Sequence, residues 1–428
     1  MAILRLLLLV FLSTIALNWP DLPLNARLTD AAFLAVAVAL AIDILRRPFP
    51  FPKLHRLDVL VGCYLAGSVI ATITSPDQRT SAIELVRHLY LVAIYLAIAA
   101  AVRLGYAATI ALGLALSGAL LAVIGLALMI VTIASGMPIP GAGEIMTLPY
   151  VGNVLRLRAF TASEAMLACV LAIAVPFAIV RASVERTVAW GITAALMIAA
   201  AFLTFSHSMA GVLVAALLAA RPWLQRRPWP WRLSIAAVLA AIVVFNFAAT
   251  VSIRSIGNGG IRDDSAYHYG VETKRTSIAG VDVEYAVISY FRLKEIAWAA
   301  FTSHPIVGVG LDRFHALTEA AFVDGRLPNI YRTTDPHSTF IGRMAETGLA
   351  GTLPLIALWI GILITAREWL VRRPGDAMAL ALFAALCGML INTNNADVMN
   401  FRFLWVAVGL LRALDDPAPT ESAADARR

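Results

Sequence analysis

Runs of about 20 mostly apolar residues recur along this chain, and each is long enough to cross a bilayer as a helix. Twelve are read, centred within 2–18, 28–45, 57–73, 84–102, 107–134, 162–181, 187–205, 209–220, 233–251, 338–366, 377–394 and 400–413. The eighth and twelfth are short, and the fifth and tenth are long enough to tilt or to extend past the bilayer. Apolar residues make up 60% of the 428 and charged ones 14%, with a mean hydropathy of +0.80. One soluble core cannot hide that much apolar surface, so the expected fold is an all-α polytopic membrane protein.

A formal net charge of +7 would suggest nucleic acid in a soluble protein. Here the positions of Lys and Arg are the better guide, and no nucleic-acid partner is expected. With an inside N-terminus, the inside segments carry Arg46, Arg47, Lys53 and Arg56, then Arg103, then Arg181 and Arg186. The series continues through Arg221, Arg226, Arg227 and Arg232, then Arg367, Arg372 and Arg373, and ends with Arg412, Arg427 and Arg428. Both termini are therefore expected inside and the long 252–336 loop outside. Only Arg5 precedes the first apolar run, and Ala16-Leu17-Asn18-Trp19-Pro20 is a poor cleavage site, so a retained helix with an interfacial Trp19 is expected. Cys63, Cys169 and Cys387 lie in separate apolar stretches without metal-like spacing, which favours buried packing residues over a disulfide.

The chain divides into a bundle over 1–251, an outer cap over 252–336, a second bundle part over 337–413 and a polar tail over 414–428. Two outside regions carry positive charge against the topogenic bias. The 135–161 loop holds Arg156 and Arg158, and the 252–336 loop holds nine Lys/Arg against ten Asp/Glu. Such charge implies a requirement other than topology. In the long loop, Gly257–Gly260 should be flexible, and Glu284 to Phe301 has helical spacing. His304-Pro305 stops that helix, and Gly308-Val309-Gly310 turns the chain. A helical cap over the outer face follows.

Several residues are candidates for chemistry, each with a plainer alternative. Arg292, mid-helix in the cap, is either a surface arginine with its stem along apolar packing or a guanidinium aimed at phosphate. Arg156 reads as an interfacial anchor. Arg158 precedes a small, polar helix start whose N–H groups suit an anion. His207, in Phe205-Ser206-His207-Ser208, is a structural turn residue or a second imidazole at the depth of His337. His337 follows Asp335-Pro336, with Asp335 a candidate orienter and Ser338 or Thr339 a candidate helix cap. An imidazole at that depth can exchange protons near neutrality. Gly348 and Gly351 should allow close helix packing. Asp397 and Arg402 either serve function or pair with each other. No Gly-rich phosphate loop, Asp-x-Asp pair, metal-ligand cluster or Gly-x-Ser-x-Gly elbow is present, so neither ATP hydrolysis nor a metal is expected.

These residues resemble the O-antigen ligase family, which belongs with the O-antigen polymerases. The matching pattern is His337, Ser338, the nine residues Thr339 to Thr347, Gly348 and then Gly351. Arg292 running into His304-Pro305-Ile306-Val307-Gly308-Val309-Gly310 is similar to a second family feature, and Arg158 at a mid-chain helix start to a third. Where many members carry an arginine at the end of the seventh helix, this chain has Ser206-His207. The resemblance implies about twelve transmembrane helices with a large periplasmic loop, a C-type membrane glycosyltransferase-like architecture in the bacterial inner membrane.

It also implies transfer of a finished glycan from undecaprenyl diphosphate to lipid A-core on the periplasmic side, inverting and without metal or other cofactor. His337 would be the general base and Arg292 and Arg158 the catalytic cations. Arg156, His207, Ser338, Asp397 and Arg402 would contact substrate. The lipid-linked donor, the lipid A-core acceptor and membrane lipids are the expected partners of a monomer. An O-antigen polymerase or protein O-oligosaccharyltransferase would share the donor. A glycan flippase would instead need charges lining mid-membrane helix surfaces.

Overall fold

A computed structural model describes residues 2–18, 27–46, 53–137, 139–148, 152–224, 251–255, 273–278, 281–287, 289–327, 332 and 335–415. Helices α1 (Ala2–Thr14), α2 (Leu28–Arg46), α3 (Arg56–Ile73), α4 (Gln78–Ala101) and α5 (Ala107–Ser135) lead into a hairpin of β1 (Gly143–Leu148) and β2 (Gly152–Leu157). Then come α6 (Glu164–Glu185), α7 (Val188–Leu203), α8 (Met209–Leu224), β3 (Val251–Ser255), β4 (Thr273–Ile278) and β5 (Val281–Val287). The chain continues through α9 (Ser289–Ser303), α10 (Phe314–Val323), α11 (Thr339–Arg372), α12 (Ala377–Asn392) and α13 (Arg402–Asp415).

The protein is a mostly helical membrane protein. Among the described residues, five helical runs are long and apolar enough to span: α2, α3, the continuous run from Gln78 to Ser135, α6 and α11. Helices α1, α7, α8 and α12 are apolar but shorter. Expected spans four and five are joined by a π-helical turn over Val102–Tyr106, where Gly105 takes φ 89°. The chain reverses there. Asp77, before α4, pairs with Arg313 at 2.9 Å, whereas Tyr106 donates to Asp43 in the last turns of α2 at 3.2 Å. Helix α5 then returns, packing Gly125 against Leu157 and Ala159. The ninth expected span, Trp19, Gly257–Gly260 and the tail beyond Asp415 lie outside the described residues.

Helix α6 is buried around nearly its whole circumference, as a helix apolar on all sides must be. Its small residues Ala168, Cys169, Ala172, Ala174 and Ala178 let neighbours approach. Helices α8 and α12 meet at Gly211 and Gly388, where an added Cβ would fall within 2.5 Å of a backbone oxygen. Helices α3 and α11 meet where a Cβ on Gly67 would stand 2.6 Å from the Gly351 Cα, so the close packing expected at Gly351 is present. Outward-facing Leu34, Val38, Val86, Val123, Ile130, Ile360 and Ile364 are exposed, as lipid-facing side chains should be. All three cysteines are free. Cys169 is buried and Cys387 partly so, but Cys63 is exposed rather than packed inside.

Gly348 differs from the sequence expectation. It breaks α11, with φ 55° and ψ −156°, a region that only glycine occupies readily. The Pro305–Gly310 turn docks into that break. Val309 and Gly310 N–H donate to the Ala345 and Glu346 carbonyls at 2.9 Å each. Leu349 and Ala350 N–H donate back to Pro305 and Ile306 at 2.8 and 2.9 Å. Backbone groups orphaned by the break are thereby satisfied. Gly308, at φ 71°, has no room for a Cβ against the Glu346 carbonyl.

The cap is not purely helical. The 135–161 loop contains the β1–β2 hairpin, and β3, β5 and β4 form an antiparallel sheet in that order. The helix expected from Glu284 therefore starts only at Ser289. Alternating Val281, Val283, Tyr285 and Val287 suit a strand paired on both sides. Its end before His304-Pro305 is as expected. Helices α9 and α10 enclose a small core of Leu293, Ala297, Phe314 and Ala321, which also takes in Ala345 of α11.

The Gly348 geometry gives a test. Gly348→Ala should lower the stability of the purified protein by about 1–3 kcal/mol, the range for one forced backbone conformation. Gly361→Ala should cost less, because its Cβ would meet flexible side-chain ends of Leu60 and Leu57 rather than backbone. Thermal unfolding in detergent compares the two.

Candidate functional site

His337 occupies the left-handed region at φ 48°, a conformation uncommon for a residue with a Cβ. Three contacts hold it. Its N–H donates to Asp335 Oδ1 at 2.8 Å, and its ring donates to the Asn395 carbonyl. Thr339, two residues on, is clamped between Ala396 and Val398: its hydroxyl donates to the former at 2.8 Å and accepts from the latter at 3.0 Å. The Thr339 N–H also donates to the Thr393 carbonyl at 2.7 Å. Ser338 occupies the cap position of α11 but makes no side-chain cap bond, so Thr339 serves as a tether to the 393–398 turn rather than as a cap.

Burial holds the His337 imidazole below the usual histidine range. Asp335 and the bond to Asn395 oppose that shift, while Lys294 and Arg156 add to it. The ring is still 32% exposed, with Nδ1 3.8 Å from Asp335 Oδ1, too long for a hydrogen bond. A ring that donates to a carbonyl carries its proton on that nitrogen, so the other is the basic one.

His207 belongs to the same group. Burial pushes its pKa down to about 4, and Arg156, His337 and Lys294 all push in the same direction. These four side chains come from the end of β2, the α7–α8 turn, α9 and the segment before α11, yet lie close enough to act on one another's charge. Lys294 escaped the sequence reading. Its own pKa is lowered by burial, and the available signal was its place two residues from Arg292 on a different face of the same helix.

The sequence placed the cations elsewhere. Arg158 Nε donates to the Thr161 carbonyl at 2.8 Å and its Nη2 to Ala162, so it braces its own turn. The start of α6 is already served by Ser163, which accepts from Met166 N–H at 3.1 Å, and by Glu164 in the first turn. Arg156, read as an interfacial anchor, turns inward instead: Nε donates to the Thr204 carbonyl at 3.0 Å and Nη1 lies 3.6 Å from Glu164. Arg292 is half-exposed and pairs with Glu295 at 2.9 Å.

Asp397 and Arg402 do not pair with each other. Asp397 accepts from buried Arg343 at 2.7 Å, and Arg343 also reaches Asn400 at 3.0 Å and Glu346 at 3.3 Å. Arg402 pairs with Asp30 at 2.7 Å and lies over the Tyr90 ring. A 3-10 turn over Val398–Asn400 lies between them, so Arg402, the first residue of α13, meets Asp30 in the first turn of α2 instead.

Of the six described non-glycine residues with positive φ, Ala159, Phe160, Phe205, Asp312 and His337 lie in the loops around this site; Arg186 alone does not. Strained backbone collects where a fold must hold side chains in set directions. Among the described residues, no group of three His, Cys, Asp or Glu side chains is placed to hold a metal ion.

These features define a mostly helical membrane protein in which a partly buried histidine has Lys294, Arg156 and His207 as charged or titratable neighbours. Residues 192–356 match the family model described as O-Antigen ligase, which places that segment in the O-antigen ligase family. The match takes in His207, Arg292, Lys294, His337 and Gly348. No curated protein matches the chain.

Burial separates the two ion pairs. Asp397→Ala removes the shortest of the partners of the Arg343 guanidinium, only 3% exposed, and leaves it Glu346 at 3.3 Å and Asn400 at 3.0 Å, so it should destabilise the protein by about 2–3 kcal/mol. Arg402→Ala breaks a partly exposed pair and should cost about 1 kcal/mol or less. Unfolding midpoints of the two variants, measured side by side, check this order.

Proposed function

We propose that this protein is an O-antigen ligase, transferring a glycan from undecaprenyl diphosphate to a sugar hydroxyl of lipid A-core at the periplasmic face of the inner membrane. One observation carries the reading: a partly buried imidazole fixed in direction, its pKa held below the ordinary histidine range, with Lys294 and Arg156 as its principal cationic neighbours. His337 removes the proton from the acceptor hydroxyl. That oxygen attacks the anomeric carbon of the donor while the carbon–oxygen bond to the diphosphate breaks, inverting the centre in one displacement. The departing diphosphate gathers negative charge, which Arg156 and Lys294 stabilise in a water-poor site. The diphosphate assigned to Arg158 from sequence passes to Arg156. Arg292 is an outer donor able to exchange Glu295 for phosphate. The lipid diphosphate leaving group supplies the driving force, so no ATP is consumed.

The basic residues of the inside loops support this orientation, with both termini cytoplasmic. At that end, His55 meets Asp415 at 3.0 Å, Arg56 meets Glu368 at 2.6 Å, and Arg372 also meets Asp415. The candidate site lies at the other end.

Transfer assays with purified protein, lipid-linked glycan and rough lipopolysaccharide test the assignment. Glycan appearing on lipid A-core supports a ligase. Extension of a second lipid-linked glycan, or glycan on pilin, would reassign the protein to the polymerases or the protein O-oligosaccharyltransferases. His337→Ala should lower turnover by about 100- to 10,000-fold, the usual range for a general base, while leaving thermal unfolding unchanged.

The base must be neutral to act, and burial holds its pKa below the ordinary histidine value. Turnover should therefore fall only as pH drops through that lowered value, and stay level around neutrality. Asp335 raises the imidazole pKa, so Asp335→Asn should move the acid limb to still lower pH. A limb that stays in place would remove Asp335 from its orienting role.

A further inference from the structure

Behind Arg156 stands a buried carboxylate that the transfer step above leaves without a task. Glu164, the first residue of α6, is only 6% exposed. Its Oε2 lies 3.6 Å from Arg156 Nη1, beyond hydrogen-bond range. Its Oε1 is buried with no partner among the described residues, which in a folded protein calls for a reason. An acid in the first turn of a helix is favoured by the dipole, but that effect needs neither burial nor a cation.

The pair is loose where its counterparts are tight. Every other described arginine that forms an ion pair comes within 2.9 Å of a carboxylate oxygen. Arg156 is anchored instead through Nε, which donates to the Thr204 carbonyl at 3.0 Å. Glu144 stands opposite Arg156 in the hairpin register but is exposed. Arg158 directs its guanidinium to the Thr161 and Ala162 carbonyls, so Arg156 is the main cation acting on Glu164. The arginine side chain is 17% exposed and the carboxylate 8%, which makes the cation the more accessible of the two.

A carboxylate and a phosphate compete for the same guanidinium, and the balance shifts through the reaction. The donor diphosphate is esterified at both ends. When its bond to the anomeric carbon breaks, the oxygen left on the terminal phosphate becomes a further ionisable site, as in any phosphate monoester. The lipid diphosphate product is therefore more anionic than the donor and is drawn more strongly to Arg156. Turnover requires that this attraction be reversed.

We infer that Glu164 is a resting counter-ion for Arg156, which yields the guanidinium to the donor diphosphate and reclaims it as the lipid diphosphate product leaves. It is a positioning residue that acts through Arg156. The inference rests on the transfer reaction proposed above and adds a device for releasing its product.

Binding of undecaprenyl diphosphate to the full-length protein in nanodiscs, without acceptor, tests it. Glu164→Gln keeps the shape and removes the charge, and should tighten binding about tenfold or more, as loss of a like charge from an anion site does. Glu164→Met is the second variant and should act in the same direction. In an Arg156→Gln background either substitution should shift binding about twofold or less, because the coupling between the two residues is gone. In transfer assays Glu164→Gln should lower the donor KM, strengthen inhibition by added undecaprenyl diphosphate and leave the acceptor KM alone. Unchanged or weaker binding in both variants, the same tightening without Arg156, or a parallel rise of both KM values would each overturn the inference. Tighter binding as expected, but no transfer to lipid A-core by the wild type, would instead count against the ligase reading and leave the counter-ion in place.

Discussion

The joint between the broken helix α11 and the Pro305–Gly310 turn holds the rest of the site in place. An α-helix that stops inside a protein leaves amides and carbonyls without partners, and burying them unpaired is costly. Here the break at Gly348 is closed by four backbone hydrogen bonds from the cap. The cap helix that carries Lys294 is thereby fixed to the helix that His337 precedes. Glycines at 308 and 348 are needed for the same reason, since each backbone passes too near the other for a Cβ. The spacing of the His-and-glycine motif thus has a mechanical meaning: it sets the distance from the imidazole to the point where the cap is anchored.

Charge is then sorted around that anchor. Arg156 of β2 and Lys294 of α9 act on the His337 imidazole, while Glu84 of α4, Asp312, Glu346 of α11 and Asp397 line a cavity beside Pro336 and Ser338. The buried Arg343 ties the acidic side together through Asp397, Asn400 and Glu346. Burial holds the pKa of both His337 and His207 below the ordinary histidine range.

Much of this was legible in the residues. Apolar runs indicated membrane helices, the histidine and glycine spacing indicated the family, and His304-Pro305 marked the end of α9. The failures share a cause. Arg156 and Arg158 are two apart, and nothing local says which turns inward; the hairpin register and the Thr204 carbonyl decide it. Asp397 and Arg402 are near in sequence, but a helix start between them sends one to Arg343 and the other to Asp30. Lys294 was passed over because its neighbour Arg292 fitted a known pattern.

Sequence alone determined that this chain lies in a membrane, and it supplied the histidine, the cations and the glycines, because apolar length and residue chemistry are local properties. Only tertiary structure decided which cations meet the imidazole, and that Gly348 breaks a helix instead of packing one. Those outcomes depend on backbone direction at strained turns and on hydrogen bonds between segments as far apart as residues 30 and 402, which no short stretch of sequence encodes.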